Sequence, residues 1–418
     1  MLLRKHREAT GESSFAPGLQ LLEAALPLDR LLASGRDRRL ALARDSRNSY
    51  GCTPFPRPSV ADFGSSTASS ISERAYNRAR AARAGMWLEA ARMGASSALD
   101  AGADRLRRTI CNVLGISGVE IVFSPSGTDA QLQALFLATS LMGGPLTTII
   151  AGSDQTGSGT AYTACGHHFS DRTSLGVIVQ KGTPIPGISE DLRSVSVPFC
   201  DASGHLRTER EMDDAVHAAV AEAVARGEKV LLQVMDASKL AWRAPSIACI
   251  DRIAAAWPDQ VIIVVDACQM RLGRARLRSY LSHGYLVLMT GSKFFTGPAF
   301  SGAFLIPRAK TALIAALRPP PAGLPGYTTR EDWPPDWHNM RQTLPSSHNY
   351  GQWLRWEAAI EEMEAYFTVP AQYRDPNGHW TGIAMRARVI YASKDRVKQD
   401  AITYEELADP KWKGKICI

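Results

Sequence analysis

Lys293 stands in the run TGSKFFTGPAFSGAFLIP (Thr290 to Pro307), directly after the apolar stretch LVLM. A lysine beside glycine at the end of such a stretch can point back into a cleft. Burial near other cations lowers the pKa of its amine and makes it a nucleophile. Asp266 closes a second apolar run, VIIVVD. A carboxylate at the end of a buried strand is costly unless it meets a cation or hydrogen-bond donors. A protonated ring nitrogen is one such cation. The third piece, SPSGTDA (Ser124 to Ala130), follows an apolar run and opens an amphipathic window. Unpaired amides at a helix start attract a dianion, Gly127 lets the backbone approach, and Ser126 and Thr128 add hydroxyls. Each piece also has a plain structural reading: a solvated lysine, an ion-paired aspartate, a capped turn. Their order and settings point to one site.

Two more strand ends add candidates. VLLQVM is followed by Asp236, Ser238 and Lys239, and Gln269 lies three residues after Asp266. These are equally readable as ordinary loop residues.

The elements that must position these groups are legible as a change of pattern. Residues 1–69 read as an N-terminal arm with an amphipathic helix near Leu19 to Leu32, closed by Pro54, Pro56 and Pro58. Helical spacing dominates from about Ser70 to Leu114, where Leu99, Leu106, Ile110, Val113 and Leu114 form a core stripe. Short apolar runs then alternate with helical windows. The runs are 120–123, 147–151, 176–180, 194–199, 230–235, 261–265 and 286–289; the windows are 129–141, 209–225 and 245–256. Continuous Val- and Ile-rich strands separated by helices predict an α/β fold, a mostly parallel sheet sandwiched by helices, over residues 70–320. Ligands of such sheets bind at the carboxyl ends of the strands. The rigid stretch RPPPAGLPG leads into residues 321–368, read as the start of a smaller C-terminal domain with a helix over Asn349 to Phe367.

Bulk properties exclude several classes. The 418 residues are 45% hydrophobic and 21% charged, as in an ordinary globular protein. No run approaches the roughly 20 apolar residues of a membrane helix. The opening MLLRKHREATGESS has no apolar signal core. The net charge of +7 is scattered, without the aromatic-basic stripe of a nucleic-acid surface, and suits an anionic cofactor and a carboxylate substrate. Seven cysteines with no CxxC spacing argue against a disulfide scaffold or zinc site and fit a reducing cytoplasm. The pair His167-His168 lacks clustered ligands, so no metal is expected.

In this order SPSGTDA, VDACQ and TGSKFFTGP resemble the pyridoxal-phosphate enzymes of the aspartate-aminotransferase fold, class V aminotransferases and cysteine desulfurases in particular, over about residues 60–367. The resemblance implies pyridoxal 5'-phosphate as cofactor and Lys293 as its Schiff-base (aldimine) lysine, with an amino acid as substrate. It implies that Asp266 pairs with the ring nitrogen and that Gln269 and Asp236 approach the phenolic oxygen. Ser126, Gly127, Thr128 and Ser292 would hold the phosphate, and a homodimer is implied. The chain departs from the pattern in three places. Ser292 replaces the usual histidine. The stretch GSDQTGSG (152–159) has no ring to stack on the cofactor, leaving Gln155 or Thr156 there. The substrate-carboxylate arginine has only Arg243 and Arg271 as substitutes.

From Val369 the chain reads VPAQYRDPNGHWTGIAMRARVIYASKDRV and onward to TYEELADPKWKGKICI. Residues 369–418 resemble an internal fragment of a periplasmic iron(III)-type solute-binding protein. That implies a fused or rearranged chain with a truncated or replaced small domain. A catalytically inactive fold remnant joined to a transport fragment is the alternative, and chance likeness in an ordinary C-terminal domain is the plain one.

Overall fold

Seven strands form one sheet in the order β1-β7-β6-β5-β4-β2-β3. They are β1 (Val119–Ser124), β2 (Leu146–Ala151), β3 (Arg193–Val197), β4 (Lys229–Met235), β5 (Val261–Asp266), β6 (Leu286–Thr290) and β7 (Gly302–Pro307). This computed structural model describes residues 24–35, 37–60, 67–189, 191–315, 321–346, 349–368 and 409–412. β3, β2, β4, β5 and β6 run parallel, and β7 lies antiparallel between β6 and β1. The expected α/β class with a mostly parallel sheet is what the chain adopts.

Side-chain alternation shows why the sheet is buried on both sides. Val230, Leu232, Val234, Ile263 and Val265 join one apolar core, and Leu231, Ile262 and Val264 join the other. Neighbouring strand residues point to opposite faces, so a continuous apolar run needs a helical layer on each. Among the described residues the α-helices are α1 (Leu28–Leu32), α2 (Glu73–Met93), α3 (Ala95–Leu114), α4 (Gly127–Met142), α5 (Thr160–Ala164), α6 (Glu209–Ala225), α7 (Ile247–Ala256), α8 (Arg274–Ser282), α9 (Arg308–Ala315), α10 (His338–Arg341) and α11 (Tyr350–Phe367). Ser72, Ser126, Thr208 and Ser246 cap α2, α4, α6 and α7 by accepting a first-turn amide hydrogen.

Three expectations need correction. The helical region from 70 to 114 is two helices, because Gly94 at φ +87° ends α2. Residues 176–180 are not a strand. Gly176 and Gly182 adopt positive φ, Val177 and Ile178 are exposed, and only a single bridge links Ile178 to Arg172. β7 is a strand the apolar-run reading left out. Of the helix expected near Leu19 to Leu32, α1 is present, and residues before 24 lie outside the described ones.

Residues Met1–Thr368 form one compact unit and Val369–Ile418 a second. In the first, α11 lies against α1, α2 and α3. Its Arg355 is fully buried and donates to the carbonyls of Leu32, Ser34 and Phe300, tying the arm to the loop before β7. Burial pushes the Arg355 guanidinium down to about 9. Of the second unit only residues 409–412 are described, including the short turn Pro410–Trp412. No described helix is long and apolar enough to cross a membrane.

Candidate functional site

The ends of β4, β5 and β6 and the start of α4 surround a cavity of about 340 Å³. Met235, Asp266 and Thr290 are the last residues of those strands, and each lines it. Lys293, Gln269, Ser292, Ser126, Gly127 and Thr128 line the same cavity. Seven of the eight candidate residues are thus gathered in one place, at the carboxyl edge of the sheet.

Asp236 is the one left out. It is 1% exposed, and its carboxylate accepts from the Tyr280 hydroxyl at 2.9 Å and faces Arg276 at 3.4 Å. The adjoining Met235, Ala237 and Ser238 line the cavity instead. Burial pushes the Asp236 carboxyl up, and Arg276, Tyr280 and Arg243 do not fully offset it. Nor do the substitute arginines reach the cavity. Arg243 donates to the Asp236 carbonyl and Arg271 to the Lys239 carbonyl.

Asp266 is held in place. Its Oδ1 accepts the Cys268 amide hydrogen at 3.0 Å and its Oδ2 accepts from Gln131 Nε2 at 3.3 Å. Cys268 is buried between Asp266 and α4. Burial, with Asp266 beside it, raises its thiol well above the ordinary range, so it stays protonated. Gly127 is required by this packing, because a Cβ there would meet the Cys268 sulfur at 2.6 Å.

The loop carrying Lys293 is bent back sharply. Thr296 and Phe300 take φ +59° and +70°, unusual for residues with a Cβ, and Phe300 lines the cavity. Such strain persists only where surrounding structure over-determines it, and it concentrates at functional sites. The Gly291 amide donates to the Ser301 carbonyl, closing the base of the loop.

The stretch 152–159 indeed brings no ring. Gln155, Thr156 and Gly157 line the wall, and the cavity's aromatic residues are Tyr50, Phe169 and Phe300. Arg39 was not foreseen. The arm brings its guanidinium over the Phe300 ring at 4.7 Å and the Phe169 ring at 5.6 Å. Arg39 pairs with Asp37 through Nε at 3.0 Å and Nη2 at 2.7 Å. Burial works against its charge, yet Asp37 and Asp129 more than offset it and raise its pKa. No local pattern links position 39 to 126, so only the tertiary fold reveals this residue. Asp129 and Gln131 had a usable signal: they sit in the first turns of a helix whose start was already read as a cradle.

His168 is engaged elsewhere, with Nδ1 2.6 Å from the Tyr327 hydroxyl. Among the described residues no group of three metal-ligating side chains converges.

Comparison with known proteins gives two sets of matches. Residues 348–418 match a family model for bacterial extracellular solute-binding proteins. Over 51 residues the chain is 53% identical to iron uptake protein A2 of Synechocystis sp., which is 12% of this chain and 15% of that protein. The chain therefore spans about a seventh of that relative's length. Among solved structures, a NifS-like protein is matched with a TM-score of 0.47 and 15% identity, over 74% of this chain and 71% of that one. The apo cysteine desulfurase of Thermococcus onnurineus NA1 is matched with a TM-score of 0.42 and 16% identity, over 72% and 67%. The solute-binding resemblance read from residues 369–418 recurs in the family match and in the iron uptake protein.

Proposed function

We propose that the chain is a pyridoxal-phosphate-dependent enzyme acting on an amino acid, with Lys293 as the catalytic amine. One observation carries the reading: an amine, a carboxylate and the start of a helix line a single cavity at the carboxyl ends of parallel strands. The residues present fit the cofactor. Its volume lies in the range of small-molecule sites. The α4 amides with Ser126 and Thr128 suit a phosphate, and Asp266 suits a protonated ring nitrogen.

When bound, the cofactor supplies a carbonyl and an electron-withdrawing ring. The protein does the rest. Lys293 would be the amine that meets this carbonyl, and it would later move a proton at the substrate's α-carbon. Asp266 would keep a proton on the ring nitrogen, and Gln131 and the Cys268 amide hold that carboxylate in position. Gln155 and Thr156 line the wall of the cavity and would take the place of an aromatic residue from the stretch 152–159. Transamination, lyase and desulfurase chemistry all begin with these steps. A homodimer in the reducing cytoplasm belongs to the same reading, and sedimentation checks the dimer.

The experiment is an absorbance titration. Purified protein given the cofactor is expected to develop a visible band, and Lys293→Ala is expected to abolish it. Wild-type protein without a band would sink the reading. The second reading, an inactive fold joined to a transport fragment, draws on the solute-binding match at residues 348–418. Turnover with a panel of amino acids decides between the two.

A further inference from the structure

The start of α4 already carries an anion of its own. Asp129 lies in the first turn of α4 and is fully buried. Its carboxylate accepts the Ser126 hydroxyl hydrogen at 2.5 Å and that of Ser174, and it lies 3.6 Å from Arg39 Nη2. Ser126 therefore spends its single proton on Asp129 and has none for a ligand. Its lone pairs face the Asp129 amide and Arg39 Nη2, each at 3.4 Å. A phosphate arriving at the α4 amides would compete with Asp129 for the same helix terminus and the same guanidinium. Arg39 is in turn forked by Asp37, so two carboxylates already face one cation.

We infer that the α4 start binds phosphate together with one proton, taken up by Asp129, and that Arg39 offers its remaining Nη1 donors to that anion. Protonation removes the competing charge. It also makes Asp129 a donor to the Ser126 oxygen and releases the Ser126 hydrogen toward the phosphate. The groups facing Asp129 favour this role. Arg39 and Asp37 approach from the arm, Ser174 from the loop after α5, and Tyr327 beyond it, paired with His168. Burial pushes the Asp129 carboxyl up to about 6, against the pull of Arg39.

The inference rests on the proposed function for the identity of the phosphate carrier. The sign is fixed by linkage: the loaded state holds the extra proton, so affinity rises as pH falls. The test uses the full chain and three probes: pyridoxal phosphate, pyridoxal without the phosphate, and inorganic phosphate. Between about pH 6 and about pH 8, wild-type affinity for pyridoxal phosphate is expected to fall at least about tenfold more than that of Asp129→Asn. The phosphate's own titration is common to both proteins and cancels. Pyridoxal is expected to show no such difference. Inorganic phosphate, read through the rise in Tm, is expected to repeat the pattern with no cofactor chemistry involved. Arg39→Lys gives a second readout: weaker pyridoxal phosphate binding with pyridoxal unchanged. Parallel pH profiles of wild type and Asp129→Asn with both phosphate probes would overturn the inference, as would equal effects on pyridoxal. A missing cofactor band would sink the functional reading alone, leaving the inorganic phosphate arm to judge this one.

Discussion

Asp236 and Asp266 stand side by side on the sheet and face different tasks. Both follow apolar parallel strands, and β4 pairs with β5 in a register that sets Met235 against Asp266. Asp266 is the last residue of its strand, while Asp236 is the first after its own. One residue of offset reverses the side-chain direction. Asp266 turns into the cavity and is partly exposed. Asp236 turns away, toward Tyr280 and Arg276 of α8. A strand-end carboxylate is thus free for chemistry only if the register aims it at the cleft; otherwise the fold must neutralise it.

The sharpest break of this comparison is a pair of separate losses. Asp266→Asn is expected to cut turnover on the order of a hundredfold to a thousandfold, as when a preorganised electrostatic partner is removed. Its unfolding midpoint should stay near wild type, because Asn keeps the shape of the side chain and an oxygen to accept from the Cys268 amide or Gln131. Steady-state kinetics beside a urea melt reads both. A variant with normal turnover would mean that Asp266 does not serve the ring nitrogen.

Asp236→Ala should do the reverse. It leaves Arg276 and the Tyr280 hydroxyl without their acceptor in a buried setting, at a cost of about 3 kcal/mol. Turnover per folded molecule should hold, since Asp236 does not line the cavity. Denaturant unfolding measures the first and kinetics at low temperature the second. An Asp236→Ala protein that is stable but inactive would return this residue to the site and undo the distinction.

The same one-residue offset explains what the sequence could tell. Apolar runs and their polar ends were legible, so the α/β class, six of the seven strands and the gathering of Lys293, Asp266 and the α4 start followed from local pattern. Direction at a strand end depends on where hydrogen bonding stops, which composition does not encode, and so Asp236 was misplaced. The run 176–180 had a strand's composition, but flanking glycines at positive φ took it out of the sheet. Arg39 reaches Ser126 across 87 positions of chain. Nothing local marks such a residue.

The finest test is Tyr280→Phe, which removes one donor from Asp236 and nothing else from the pair. At neutral pH the loss should be about 1.5–3 kcal/mol, the value of a hydrogen bond to a charged group. Its pH dependence is the informative part. Burial already raises the Asp236 carboxyl above its ordinary value, so the folded state binds that proton more tightly than the unfolded chain. This contribution favours folding most below the ordinary carboxylate range and is lost as pH rises toward the raised folded value. Tyr280 counters the rise by donating to the ionised form. Without it the carboxyl moves further up, and the loss of stability grows and extends to higher pH. Urea midpoints across the acid range should therefore diverge between wild type and Tyr280→Phe as pH increases. A constant offset would mean that Tyr280 supports the helix without touching the charge of Asp236, and that the fold offsets this carboxylate through Arg276 and Arg243 instead.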